Sequence, residues 1–165
     1  VQKISTCLWF DGQAEEAALF YTGIFDNSSM GQTMPGPGGV PLTVEFDIEG
    51  RHFMGLNGGP AFSFNEAVSM VVNCETQEEV DRYWDALLEG GQESQCGWLK
   101  DKFGLSWQVV PQGMGEFLGG PDPEGSQRAM AAMMKMRKLD INALRAAYNS
   151  DQVTGNQQQV KGPGE

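Results

Sequence analysis

Residues 96–111 read CGWLKDKFGLSWQVVP. Two short runs of β-favouring residues, Gly97–Lys100 and Leu105–Val110, flank Phe103-Gly104, where the glycine gives the backbone the freedom a tight bend needs. The stretch predicts a β-hairpin. An upstream segment repeats it. Phe46-Asp47-Ile48 leads to Glu49-Gly50 and on into Arg51–Leu56, and laying Gly50 on Gly104 lays Phe53 on Trp107 and Met54 on Gln108. A duplicated hairpin implies a duplicated module.

The rest of the module follows on each side. Lys3–Phe10 alternates as a strand, with Ile4, Thr6, Leu8 and Phe10 facing one way and Cys7 and Trp9 the other. Ala14–Phe25 carries Ala14, Ala17, Ala18, Tyr21 and Phe25 at helical spacing, with Glu15 and Glu16 in the first turn. Ser29–Met34 is a short edge strand. Pro35–Gly39 is a flexible loop that runs into β-like residues, so it lacks the strand-to-helix context of a phosphate-binding loop. The second half repeats the order: strand Ala67–Cys74, helix Gln77–Leu88 behind the capping-box pair Thr76 and Glu79, a short strand near Gln92–Gln95, then the hairpin. A shift of 63 residues lays Glu15-Glu16 on Glu78-Glu79 and Phe20-Tyr21 on Tyr83-Trp84. Each half reads strand–helix–strand–strand–strand, about residues 1–59 and 66–111.

Beyond the second hairpin the pattern changes. Asp122-Pro123-Glu124 starts a helix, with Asp as cap and Pro at the first helical position. Met130, Met133, Met134 and Arg137 share one face. Asp140 caps a last helix with Ile141, Leu144 and Tyr148 as its buried stripe. Residues 122–148 complete a single domain spanning 1–148, and 149–165 form a polar tail without periodicity.

The 165 residues suffice for one substantial core, and 40% apolar and 10% aromatic content fits an ordered globular protein. A net charge of −11 argues against nucleic acid, whose phosphates need clustered Lys and Arg. No apolar run is long enough to span a bilayer, and Val1–Phe10 lacks the pattern of a signal peptide. The 3 cysteines, Cys7, Cys74 and Cys96, have no CxxC spacing and read as reduced, mostly buried thiols of a cytoplasmic protein.

The tandem module resembles the vicinal-oxygen-chelate superfamily of glyoxalases, bleomycin-resistance proteins and dioxygenases, and within it the PhnB-like branch. The resemblance rests on Trp9-Phe10, Phe20-Tyr21, Asn57-Gly58-Gly59, Phe62 to Asn65, Cys74, Trp84, Cys96-Gly97-Trp98 and Ser106-Trp107-Gln108. It implies an α+β fold of two βαβββ modules, forming curved sheets, plus C-terminal helices. That branch often carries a demethylubiquinone methyltransferase label. The sequence has no glycine-rich strand-to-helix turn followed by an acidic strand end to hold S-adenosylmethionine. The resemblance also implies four metal-ligand positions, which fall on Thr6, Met54, Ser69 and Gln108. A hydroxyl, a thioether, a second hydroxyl and a neutral amide do not make a divalent-metal site, so neither metal nor cofactor is expected.

The expected cleft is lined by Thr6, Leu8, Met54, Ser69, Val71 and Gln108, with Trp98 near its mouth. Apolar walls with a few polar groups suit a small organic ligand. The competing reading is a metal-independent enzyme on the same cleft, with the only histidine, His52, or Cys96 as acid–base or nucleophilic group. Unpaired strand edges, the Gly-Gly-Pro linker and the apolar C-terminal helices further suggest a homodimer.

Overall fold

The structure, a computed structural model, describes residues 2–157, with side chains through residue 150. The fold is α+β, built from two βαβββ modules followed by three helices. The first module comprises β1 (Thr6–Phe10), α1 (Ala14–Ile24), β2 (Ser29–Met34), β3 (Thr43–Ile48) and β4 (Arg51–Asn57). The second comprises β5 (Ser69–Cys74), α2 (Gln77–Leu88), β6 (Gln92–Glu93), β7 (Trp98–Lys100) and β8 (Ser106–Pro111). α3 (Met114–Leu118), α4 (Pro123–Met133) and α5 (Ile141–Gln157) follow. The strands form two four-stranded sheets, ordered β1-β4-β3-β2 and β5-β8-β7-β6. In the first, β1 runs parallel to β4, while β3 is antiparallel to both β4 and β2. β2, the expected edge strand, lies at the edge of its sheet, and β6 takes the same place in the second. Among the described residues no helix is long and apolar enough to cross a membrane.

The chain packs as two compact units. Among the described residues, the first contains 2–69, Glu89–Gly91 and Lys100–Ser106; the second contains Met70–Leu88, Gln92–Leu99 and 107–157.

In the first unit α1 lies on one face of its sheet. Ala14, Ala17, Ala18 and Tyr21 are fully buried, against a sheet face made of Leu8, Phe10, Val44, Phe46, Ile48 and Phe53. Gly55 lets the helix come close, since a Cβ there would lie 3.0 Å from that of Ala14. Asn57 fixes the helix start by accepting from the Ala14 N–H at 2.9 Å while donating to the Pro41 carbonyl. The β3–β4 turn is Glu49-Gly50, both with positive φ, which is the two-residue hairpin geometry that twisted strands favour. The segment Lys100–Ser106 also belongs here. Asp101, 3% exposed, accepts the Tyr21 hydroxyl at 2.6 Å and the N–H groups of Phe103 and Leu105 at 2.9 and 3.1 Å. Phe103 then meets Phe10, Phe20 and Tyr21 edge-on.

In the second unit α2 buries Val80, Tyr83, Trp84 and Leu87. Thr76 accepts from the Glu79 N–H at 3.1 Å and Glu79 accepts from the Glu75 N–H at 2.8 Å, which is the predicted reciprocal cap shifted by one donor. Asp122 and Asp140 cap α4 and α5 as their positions predicted. Phe117, Ala129 and Leu144 form a buried cluster with Met114, Met133, Met136, Ile141 and Tyr148 against it. Much of the apolar surface assigned to a second chain is therefore covered within this one; Met130 and Met134 remain exposed. α3 was not anticipated, because its five residues fall below the length at which periodicity is readable. The polar segment from Asn149 does not break the last helix, which continues to Gln157; once Asp140 and the packed Leu144 have nucleated it, each further turn adds hydrogen bonds at little cost. Residues 158–165 of the expected tail lie outside the described residues.

Replacing Tyr21 with Phe removes one donor from a buried carboxylate. It should lower unfolding free energy by about 2 kcal/mol in urea denaturation. A loss under about 0.5 kcal/mol would mean that the bond contributes little.

Candidate functional site

α1 covers one face of the first sheet, and strand parity decides which side chains are available on the other. In the first sheet Cys7 pairs with Met54 and Trp9 with Leu56, while Thr6 and Leu8 pair with Phe53 and Gly55. Phe53 and Gly55 are buried. Thr6 and Leu8 thus lie on the face that carries the core, and the sequence-based placement of both in a cleft is wrong. The cause is one residue. Buried helix positions in the two modules, Ala17 and Val80 or Tyr21 and Trp84, are 63 apart, whereas the buried strand ends Phe10 and Cys74 are 64 apart. The first strand-to-helix connection, Asp11-Gly12-Gln13, is one residue longer than Glu75-Thr76. Extending the helix shift into the strand inverts the face. Cys7 occupies the open-face position given to Thr6.

His52 and Met54 do share the open face of the first sheet. His52 pairs with Asp47 across the hairpin, its Nδ1 lying 3.0 Å from Asp47 Oδ1, and its Nε2 lies 3.5 Å from Glu45 Oε1. Neither carboxylate was singled out beforehand, although a two-residue turn at Glu49-Gly50 dictates the Asp47–His52 pairing. The trio is part-exposed, so solvent screens its interactions. Each ring nitrogen of His52 faces a carboxylate, Asp47 at Nδ1 and Glu45 at Nε2. Farther along the same face, Trp9 donates to the Gly59 carbonyl at 2.8 Å and meets Phe62 edge-on. A Cβ on Gly58 would fall 2.3 Å from the Trp9 ring, which accounts for the glycine.

The second unit holds a cleft of about 460 Å³. Cys96, Trp98 and Gln108, all three predicted, line it together with Asn73 and Val110. Ser69 and Val71 alternate onto the same strand face as Asn73, which sequence reasoning passed over although it continues that alternation. The opposite wall is Met114, Leu118, Met133 and Leu139. Cys96 sits in the left-handed region at φ 58°, and its sulfur lies 3.6 Å from that of Met134. Among the described residues no three His, Cys, Asp or Glu side chains are arranged to hold a metal. At the positions the resemblance gives to metal ligands, the open faces carry Cys7 and Met54 in the first sheet and Val71 and Gln108 in the second, which together do not supply the ligands of a divalent cation.

The repeated strand–helix–three-strand order is the one that the resemblance to the vicinal-oxygen-chelate superfamily implied. The sequence profile of the 3-demethylubiquinone-9 3-methyltransferase family matches residues 2–110. A PhnB protein from Bacillus cereus, provisionally assigned to that methyltransferase family, is 34% identical; the match covers 67% of this chain and 99% of that one, with a TM-score of 0.63. Protein PA1353 from Pseudomonas aeruginosa shares the fold at 20% identity and a TM-score of 0.56, over 67% of this chain and 98% of that one. No curated protein sequence matches significantly. The chain belongs to the 3-demethylubiquinone-9 3-methyltransferase/PhnB family.

The three thiols differ in environment. Cys74 is buried, Cys96 half-buried and Cys7 exposed, so the expectation of mostly buried thiols holds only for Cys74. Burial, with a smaller contribution from the Glu79 carboxylate, pushes the Cys74 thiol up to about 11. At pH 8 it is then roughly one part in a thousand thiolate. Peptide-resolved iodoacetamide labelling of the native protein should modify Cys74 last, and its rate should still be rising with pH above 9. Labelling of Cys74 as fast as Cys7 at pH 8 would contradict this.

Proposed function

We propose that this protein binds a small organic molecule in the cleft of its second unit, without a metal. The observation that carries the reading is the lining itself: an apolar wall of Met114, Leu118, Met133 and Leu139 facing neutral hydrogen-bonding groups on Gln108 and Asn73, with the Trp98 ring beside them. Such a surface holds an organic ligand by area and orients it by a few polar contacts. The methyltransferase activity in the family description finds no support in these residues. A bound S-adenosylmethionine fits a parallel, doubly wound sheet with a glycine-rich turn into a helix. Here the first sheet is mixed, and its first turn is Asp11-Gly12-Gln13.

A second reading, metal-independent catalysis, is favoured by Asp47, His52 and Glu45. Asp47 would hold the imidazole while Nε2 exchanges a proton with substrate. Both readings are tested by thermal-shift screening of a library of neutral and acidic aromatic compounds, with and without manganese, nickel and zinc. The binding reading expects metal-independent stabilisation that weakens by roughly 1–3 kcal/mol of affinity in Gln108→Ala or Trp98→Ala. Stabilisation that both folded variants retain would refute the cleft. Chemical turnover of a hit, lost in His52→Ala, would establish the enzyme.

We also propose a homodimer. Phe62, Val68, Met34 and Ile4 are large apolar side chains left largely exposed, which a two-fold contact would cover. Light scattering at micromolar concentration should give twice the mass of one chain. A monomer persisting over a hundredfold concentration range would rule the dimer out.

A further inference from the structure

Much of the cleft's lining lies outside the part of the chain that defines the family. The family profile ends at residue 110, and the Bacillus cereus protein is 99% accounted for by 67% of this chain. Gln112, Met114, Leu118, Met133 and Leu139 all lie beyond residue 110.

This added wall is fixed in place rather than draped over the sheet. The Cys96 and Gly97 N–H groups donate to the carbonyls of Met136 and Arg137 at 2.8 and 2.7 Å. Gln77 donates to the Leu139 carbonyl at 3.0 Å and accepts from the Ile141 N–H at 2.9 Å, so one α2 side chain clamps the approach to α5 from both sides. The Gln112 N–H donates to the Cys74 carbonyl at 2.6 Å. A Cβ on Gly97, at φ 85°, would come within 2.9 Å of the Leu139 side chain. Behind the wall stands the Phe117–Ala129–Leu144 cluster.

Among the described residues lining the cleft, none is charged: the polar side chains are the amides of Asn73, Gln108 and Gln112, the Cys96 thiol and the Trp98 indole. An anionic group seated there would shed water against thioethers and leucines with no cation to receive it, in a chain of net charge −11. An uncharged molecule meets no such penalty.

Resting on the reading of this cleft as a ligand site, we infer that the added segment 112–139 restricts it to uncharged, largely apolar ligands and excludes carboxylates, sulfonates and phosphonates. The selection is made by what the wall withholds.

Two dyes that differ by one sulfonate test this on the full chain: N-phenyl-1-naphthylamine and 1-anilinonaphthalene-8-sulfonate. The neutral dye should bind with blue-shifted emission and protect Cys96 from iodoacetamide, read peptide by peptide. The sulfonate should bind at least tenfold more weakly, or without protecting Cys96. Met133→Trp, which fills the cleft from the added wall, should weaken the neutral dye at least tenfold. Leu118→Trp serves the same purpose should the first variant not fold, and Cys96 protection needs neither variant. If the sulfonate protects Cys96 at the same concentration as the neutral dye, charge selection is overturned while the cleft remains a ligand site. If a folded Met133→Trp or Leu118→Trp protein binds the neutral dye unchanged, the role of segment 112–139 is overturned. If neither dye protects Cys96, the binding reading fails, and this inference with it.

Discussion

A carboxylate with 3% of its surface exposed must satisfy both oxygens or forfeit several kcal/mol, and Asp101 meets that demand with groups from two distant parts of the sequence. One oxygen accepts the N–H groups of Phe103 and Leu105 and so shapes the turn through Gly104; the other accepts the Tyr21 hydroxyl, 80 residues away. Turn geometry and helix position thus depend on one ionisable group. Burial and the negative charge of Asp101 push the ionisation of Tyr21 far above its ordinary range, which keeps the phenol a donor under all physiological conditions. With α1 held there, one face of the first sheet is sealed. The other is left to Cys7, Trp9, His52 and Met54.

The two units use their open faces differently. In the first, polar chemistry stands on the sheet: an imidazole between two carboxylates, partly in water. In the second, α3, α4 and the connection to α5 build an apolar wall opposite neutral amides. The duplicated module therefore carries two distinct surfaces. The difference lies in side chains and in an appended segment, with the strand plan unchanged.

The strand–helix–three-strand order was legible because each signal was local: the Gly50 and Gly104 turns, the Thr76 and Asp140 caps, and the paired aromatics of α1 and α2. Cys96, Trp98 and Gln108 were also legible, since they sit on or beside the hairpin that anchored the comparison of the halves. Thr6 and Leu8 were misplaced because the strand position was counted back from Phe20 in the helix, across a connection that is one residue longer than its counterpart, and a strand punishes an error of one by reversing every side chain. Asp47 and Glu45 could have been found from the register that the Glu49-Gly50 turn imposes. The methionine wall could not, because nothing in the spacing of Met114 or Met133 says which sheet face it will meet.

The membership of Lys100–Ser106 in the first unit has a practical consequence for dissecting the molecule. The boundaries seen in sequence and the boundaries seen in space do not coincide. A fragment ending at Ser69 contains every strand of the first sheet, yet it lacks the acceptor for Tyr21 and the ring that covers Phe10 and Phe20. Expressing the repeats as separate polypeptides, or exchanging one for a homologous half at the Gly58–Asn65 linker, would sever a unit rather than isolate it. A workable half-protein would have to carry a graft of the Asp101–Leu105 turn.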